Sequence, residues 1–121
     1  MKYLLIGGKG FVSSNFQSLL KKKGKPFSVL SSKKIDLLSR AKCKSLSRIK
    51  KDNYNVVFFS AITPDKGRDF KAFRDNILML SNFLEHFPSK NISHFNYISS
   101  DAVYSLNQKI INENTTCAPD D

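Results

Sequence analysis

The stretch Lys2-Tyr3-Leu4-Leu5-Ile6-Gly7-Gly8-Lys9-Gly10-Phe11-Val12-Ser13 decides how the rest of the chain is read. Residues 2–6 form a short apolar run closed by glycines, the pattern of a buried parallel strand. From Gly10 to about Lys23 the apolar positions Val12, Phe16, Leu19 and Leu20 follow helical spacing. Lys21 to Lys23 suit the negative end of a helix dipole, and Gly24 is a stop signal. A strand that enters a helix through glycines lets backbone approach a pyrophosphate, because no Cβ intervenes and the first helical N–H groups are free to donate to an anion. The segment reads as Gly7-x-x-Gly10-x-x-Ser13 in one register and Gly8-x-Gly10-x-x-Ser13 in the other. In both, Ser stands where a third glycine would allow close packing of helix against strand.

Beyond this segment, Phe27 to Leu30 reads as a second strand and Lys34 to Leu37 as a weak third. Ser39 is a candidate cap for a helix running to about Lys51 and burying Leu46 and Ile49. Val56 to Ala61 is the clearest buried strand, bounded by Asn53 and Pro64. A long helix follows with Phe70, Phe73, Ile77, Leu80 and Leu84 on one stripe, stopped by Pro88, and Phe95 to Ser99 supplies a fifth strand. Strands alternating with helices imply right-handed crossovers and an α/β, doubly wound parallel sheet of about five strands, as one domain over residues 1–121. Such sheets bind ligands at the carboxyl ends of their strands. That rule selects Gly7 to Val12, Ser31 to Lys34, Ser60 to Pro64 and Ser99 to Tyr104.

Composition narrows the function classes. The chain has ten Phe, 40% hydrophobic residues and 25% charged residues, ordinary for a soluble domain. It has no apolar run near the roughly 20 residues that span a bilayer, so a cytoplasmic protein without a membrane partner is expected. Cys43 and Cys117 lie far apart without metal-ligand spacing, which predicts free thiols and no metal site. The net charge of +10 is concentrated in residues 1–51, with fourteen Lys or Arg against the single acid Asp36. This half would attract the phosphates of a dinucleotide or of nucleic acid, although the lysines also read as solvated helix faces. No nucleic-acid recognition module or aromatic ladder accompanies them, which argues against nucleic acid.

Gly7-x-x-Gly10-Phe11-Val12 is similar to the first-strand motif of extended short-chain dehydrogenases, the NAD-dependent epimerase/dehydratase group. Val56 to Ala61 resembles that family's fourth strand, and Asn76 its helix asparagine, although Met79 and Leu80 stand where Gly-Thr is usual. Tyr97-Ile98-Ser99-Ser100-Asp101-Ala102-Val103-Tyr104 resembles the segment carrying the active-site Ser or Thr, which by that match is Ser100. The resemblance implies a Rossmann-type domain acting on a nucleotide sugar or similar substrate. It implies cofactor contacts from Gly7, Gly10, Phe11 and Val12, from Ser31, Ser32 and Lys33, from Asp36 and Leu37 near the adenine, and from Ser60, Ala61, Ile62, Asn76 and Ile98. In the implied mechanism Ser100 hydrogen-bonds a substrate hydroxyl or keto oxygen, a task suited to a group that both donates and accepts. A Tyr moves the proton, and nicotinamide exchanges a hydride.

The end of the second strand offers Ser31, Ser32, Lys33 and Lys34 and no acid, which favours NADP over NAD. The family's Tyr-x-x-x-Lys is missing, since none of Tyr3, Tyr54, Tyr97 and Tyr104 has Lys four residues on. The stretch Asn112 to Asp121 resembles the sequence just before that Tyr. These features predict a truncated product or an isolated domain that binds cofactor weakly and does not turn over substrate. They also predict apolar surface beside the fifth strand, leading to self-association or a poorly ordered tail after about Leu106. A different class, a non-catalytic NADP-binding sensor, would keep Gly7 and Gly10 without needing Ser100.

Overall fold

The computed structural model describes residues 1–119. Four strands, β1 (Lys2–Ile6), β2 (Phe27–Leu30), β3 (Tyr54–Phe58) and β4 (Ile92–Tyr97), form one parallel sheet in the order β2-β1-β3-β4. Side chains alternate across it with the two-residue period of a strand. Leu4, Ile6, Val56 and Phe58 enter one core, while Leu5 and Val57 enter another on the opposite face. Helix α1 (Phe11–Lys22) covers the second core through Leu20 and Phe16, with Phe16 edge-on to Tyr3. The first core is covered by α2 (Arg40–Cys43), a 3-10 segment (Lys44–Arg48) and α3 (Phe70–His86). There Phe83 meets Phe58 edge-on at 5.7 Å and stacks on Phe87 at 5.0 Å. With helices on both faces of a parallel sheet, the molecule is a Rossmann-like α/β fold.

The sheet has four strands where the sequence predicts five. Lys34 to Leu37 turns instead of extending: the N–H groups of Lys34 and Ile35 both donate to the Ser31 carbonyl, at 2.8 and 3.0 Å. Ile35 and Leu37 sink into the core, and Asn82 of α3 donates to the Leu37 carbonyl at 2.7 Å. The backbone that would pair with β2 is therefore spent on turns and on a helix. This leaves β2 at the sheet's edge, where the Lys34 ammonium donates to the outward Val29 carbonyl at 3.2 Å.

Element bounds and faces differ as well. β3 starts at Tyr54 and ends at Phe58, and β4 begins at Ile92, each earlier than the apolar runs suggest. Ser39 caps α2, but the expected helix to Lys51 changes to a 3-10 segment after Cys43. In α1 Val12 and Leu19 are exposed and Ser13 is buried. In α3 the predicted stripe, Leu80 excepted, faces outward, with Phe70 76% exposed, Phe73 61%, and Ile77 and Leu84 about half exposed. Ala72, Asp75, Asn82 and Phe83 are the buried positions, with Met79 and Leu80 also packed against the core. One residue step rotates a helix by about 100°. Polar anchors, Asn82 on Leu37 and Asn76 on Ile62, fix which face turns inward.

Cys43 is fully buried, its thiol lying 3.5 Å from the Asp36 carbonyl, whereas Cys117 is exposed. Burial, and secondarily the charge of Asp36, pushes the Cys43 thiol above its ordinary range. Since the thiolate is the reactive form, one thiol is expected to react rapidly with an aromatic disulfide reagent in the native protein and two after denaturation. Rapid native reaction of both, or loss of the fast phase in any variant other than Cys117→Ser, would contradict this burial.

Candidate functional site

The strand ends converge at the carboxyl edge of the sheet. The ladder runs on past β1, β2 and β3: Gly7 N–H donates to the Leu30 carbonyl at 2.9 Å, Phe59 N–H to Ile6 at 2.7 Å and Ile98 N–H to Phe58 at 3.1 Å. A cleft of about 280 Å³ opens there, between the glycine turn, the end of β2 and the loop after β3. Its walls are Gly7, Gly8, Lys9, Gly10, Ser31, Ser32, Phe59, Ser60, Ala61, Thr63, Lys66 and Met79. A larger hollow of about 490 Å³, bordered by Lys34, Ile35, Lys42, Lys44 and Arg48, lies elsewhere and contains none of the glycine turn. We take the smaller cleft as the site, because strand ends and open backbone meet there.

The three glycines differ in what a side chain would meet. Gly7 has φ +90°, and a Cβ on it would stand 2.8 Å from the Ser60 hydroxyl and 2.9 Å from the Ser60 nitrogen. A Cβ on Gly8 would stand 2.5 Å from Val29 Cγ1. A Cβ on Gly10 would meet nothing within 4 Å, so its missing side chain leaves open space at the start of α1. That helix start has no side-chain cap and no acid in its first turn. Free N–H groups and the positive end of the helix dipole therefore face that space. Backbone of this shape, with Lys9 and Lys66 on the walls, fits the pyrophosphate of a dinucleotide.

Of the residues expected from the sequence, Gly7, Gly10, Ser31, Ser32, Ser60 and Ala61 line the cleft. Phe11 and Val12 project into solvent from the first turn of α1, and Lys33 is exposed beside Ser32. Asp36 accepts from Leu38 N–H at 3.1 Å, and Leu37 is buried in the core. Asn76 uses both ends of its amide on Ile62, accepting from its N–H at 2.7 Å and donating to its carbonyl at 3.1 Å. That pairing holds the loop after β3 in place. Ser100 stands apart on the exposed end of β4, where it caps a 3-10 turn (Asp101–Val103), accepting from Ala102 N–H and donating to Asp101, both at 3.2 Å. Ile98 is partly exposed beside it.

Gly8, Lys9 and Thr63 on the walls fall within the stretches that the strand-end rule selects, whereas Phe59, Lys66 and Met79 fall outside them. Lys66 arrives because the loop turns at Thr63, whose carbonyl accepts from the N–H groups of Lys66 and Gly67. A hydrogen bond from Thr63 holds the Asp65 carboxyl below its usual range, with help from backbone and from Lys66. A Thr-Pro-Asp sequence after a strand is a turn signal, but it does not reveal that the turn closes over the cleft. Among the described residues, no group of three His, Cys, Asp or Glu side chains is placed to hold a metal, and no helix is long and apolar enough to cross a membrane.

The family model for the NAD dependent epimerase/dehydratase family matches residues 3–120. The chain belongs to this family. UDP-N-acetylglucosamine 4-epimerase from Bacillus cereus superposes with a TM-score of 0.76 at 21% identity, covering 99% of this chain and 48% of that one. GDP-L-fucose synthetase from Naegleria fowleri bound to NADP gives 0.74 at 20%, covering 92% and 34%. A mutant UDP-glucuronic acid 4-epimerase from Bacillus cereus, in complex with a fluorinated UDP-sugar analogue and NAD, gives 0.64 at 23%, covering 98% and 46%. The chain thus spans about a third to a half of the length of these structures. No curated protein matches it.

Gly7→Ala is expected to lower the melting temperature by several degrees, since it adds a left-handed backbone strain and a contact with Ser60. Gly10→Ala has neither problem and should stay within about 1 kcal/mol of the parent. Thermal melts of both variants check the pair, and equal loss in both would contradict the geometry.

Proposed function

We propose that this chain is the cofactor-binding part of an enzyme that uses NADP to act on a nucleotide sugar. The observation that carries the reading is the pairing of an open glycine turn at Gly10 with a β2 end that presents Ser31, Ser32 and Lys33 and no carboxylate. A 2′-phosphate is held by cations and hydroxyls, and a free 2′-hydroxyl is usually held by an acid. Lys9 and Lys66 stand ready to balance the pyrophosphate charge. Ser60 and Ala61, with Ile62 held behind them by Asn76, form the floor on which the cofactor would rest, while Phe11, Val12, Asp36, Leu37 and Ile98 lie outside the cleft walls. When bound, the nicotinamide supplies a hydride acceptor or donor for a sugar hydroxyl or keto group. The Ser100 hydroxyl, able to donate and accept, orients that oxygen. The solved neighbours named for UDP- and GDP-sugars support the substrate class.

A second reading, a cofactor sensor without chemistry, is favoured by one observation: the Ser100 hydroxyl is already engaged with its own turn. In the sensor Ser100→Ala changes nothing, whereas in the enzyme it weakens binding of a UDP- or GDP-sugar to the cofactor-loaded chain. Free Cys43 and Cys117 suit a cytoplasmic setting. The outward apolar stripe of α3, with Phe70, Phe73 and Ile77, suits self-association more than contact with nucleic acid. Sedimentation should accordingly show a species heavier than the 13.7 kDa chain, and a Phe73→Glu variant should sediment closer to it.

Fluorescence titration tests the cofactor reading. NADPH should bind about tenfold more tightly than NADH, the difference made by charge-assisted contacts to one phosphate. Lys33→Glu should remove that preference, and Gly10→Ala should weaken both cofactors. Equal affinity for the two would overturn the NADP assignment, and no binding of either would overturn the reading as a whole.

A further inference from the structure

We propose that Ser13 and Gln17 form a positioning pair that holds the glycine turn with its N–H groups toward the cleft. The proposal rests on the reading of that cleft as a pyrophosphate site. By the motif alone, Ser13 is a departure, a small residue tolerated where a third glycine would pack. The structure gives it contacts that a glycine could not make. Ser13 is 1% exposed, and its hydroxyl donates to the Gly7 carbonyl at 2.8 Å. Gln17 lies one helical turn later on the same face, where its amide donates to the Gly8 carbonyl at 2.9 Å and to the Ser13 hydroxyl at 3.3 Å.

Two successive carbonyls are thus tied back to side chains of α1. In a planar trans peptide the C=O and the following N–H point in opposite directions. Holding the carbonyls of Gly7 and Gly8 against the helix therefore turns the N–H groups of Gly8 and Lys9 away from it, toward the side on which the cleft opens. Among the described residues neither N–H has a backbone acceptor. Glycine peptides flip readily because φ of either sign is accessible to them. Without the pair the Gly8-Lys9 peptide could present a carbonyl to an incoming phosphate, which would repel it. The pair thus replaces packing at the third glycine position with a pair of hydrogen bonds, and the pairing of Ser13 with Gln17 becomes a requirement of this turn.

The test compares the parent chain with Ser13→Ala and Gln17→Leu, which keep helix propensity and approximate size. Two ligands are titrated, NADPH and adenosine 2′-monophosphate, which lacks the pyrophosphate. Amide shifts of Gly8 and Lys9 are recorded by 15N NMR without ligand. Each variant is expected to bind NADPH about tenfold more weakly, as one hydrogen bond to the turn is lost. Binding of adenosine 2′-monophosphate should stay near the parent value, the melting temperature should fall by no more than the few degrees that one lost hydrogen bond costs, and the Gly8 and Lys9 amides should shift. Unchanged NADPH affinity with unmoved amides would overturn the proposal and leave Ser13 as a residue chosen for size. Equal weakening of both ligands with a lower melting temperature would also overturn it, in favour of general destabilisation. If the parent chain binds neither ligand, the cofactor reading fails, and the amide shifts alone decide the pair: movement in the variants supports it and stillness overturns it.

Discussion

Where β1 gives way to α1, Gly7 lies so close to the backbone of Ser60 that no side chain fits between them, and the remaining architecture is organised around this approach. The contact joins the end of the central strand to the start of the loop after β3. It fixes the direction in which the chain leaves the sheet and sets α1 on the face where Leu5 and Val57 await cover. It also brings the glycine turn, the end of β2 and the β3 loop to one edge. A parallel sheet alone would put these ends on the same side. Only the close approach makes them share a wall.

The remaining polar contacts act on the same region from greater distance. Asn76 clasps the Ile62 backbone with both ends of its amide, and Asn82 reaches from the next turn of α3 to the Leu37 carbonyl. These two asparagines tie a single helix to the loops after β3 and β2, the two walls that face the glycine turn. Satisfied, such amides specify one arrangement, because leaving the buried Asn82 unpaired would cost about 1–3 kcal/mol. The price of this specificity is visible in the helix, which turns Phe70 and Phe73 to solvent.

Much of this was legible in the residues. The runs at Lys2 to Ile6 and Phe27 to Leu30 became strands with those bounds, and the strand-glycine-helix order located the cleft. Periodicity failed where polar anchors overrode it: apolar spacing in α3 favoured Phe70, Phe73 and Ile77, whereas Asn76 and Asn82 rotated the helix to bury Phe83. The Lys34 to Leu37 run has strand-like composition, but its backbone bonds are local, and composition does not encode where a carbonyl will find its donor. In the site, the glycines announced themselves, whereas Lys66 and Met79 reached the cleft on a loop and a helix whose paths depend on contacts distant in sequence.

The same turn at Lys34 bears on how the molecule avoids its own kind of error. Among the described residues no strand pairs with the outer side of β2, which leaves there a row of backbone groups, the template on which another chain could lengthen the sheet. Lys34 answers this by laying its ammonium on the outward Val29 carbonyl, so an incoming strand would find that acceptor taken and a positive charge in its path. That one covered acceptor and the charge beside it disfavour strand addition at β2, so a fibril built in that way would meet resistance where the sheet is otherwise most open.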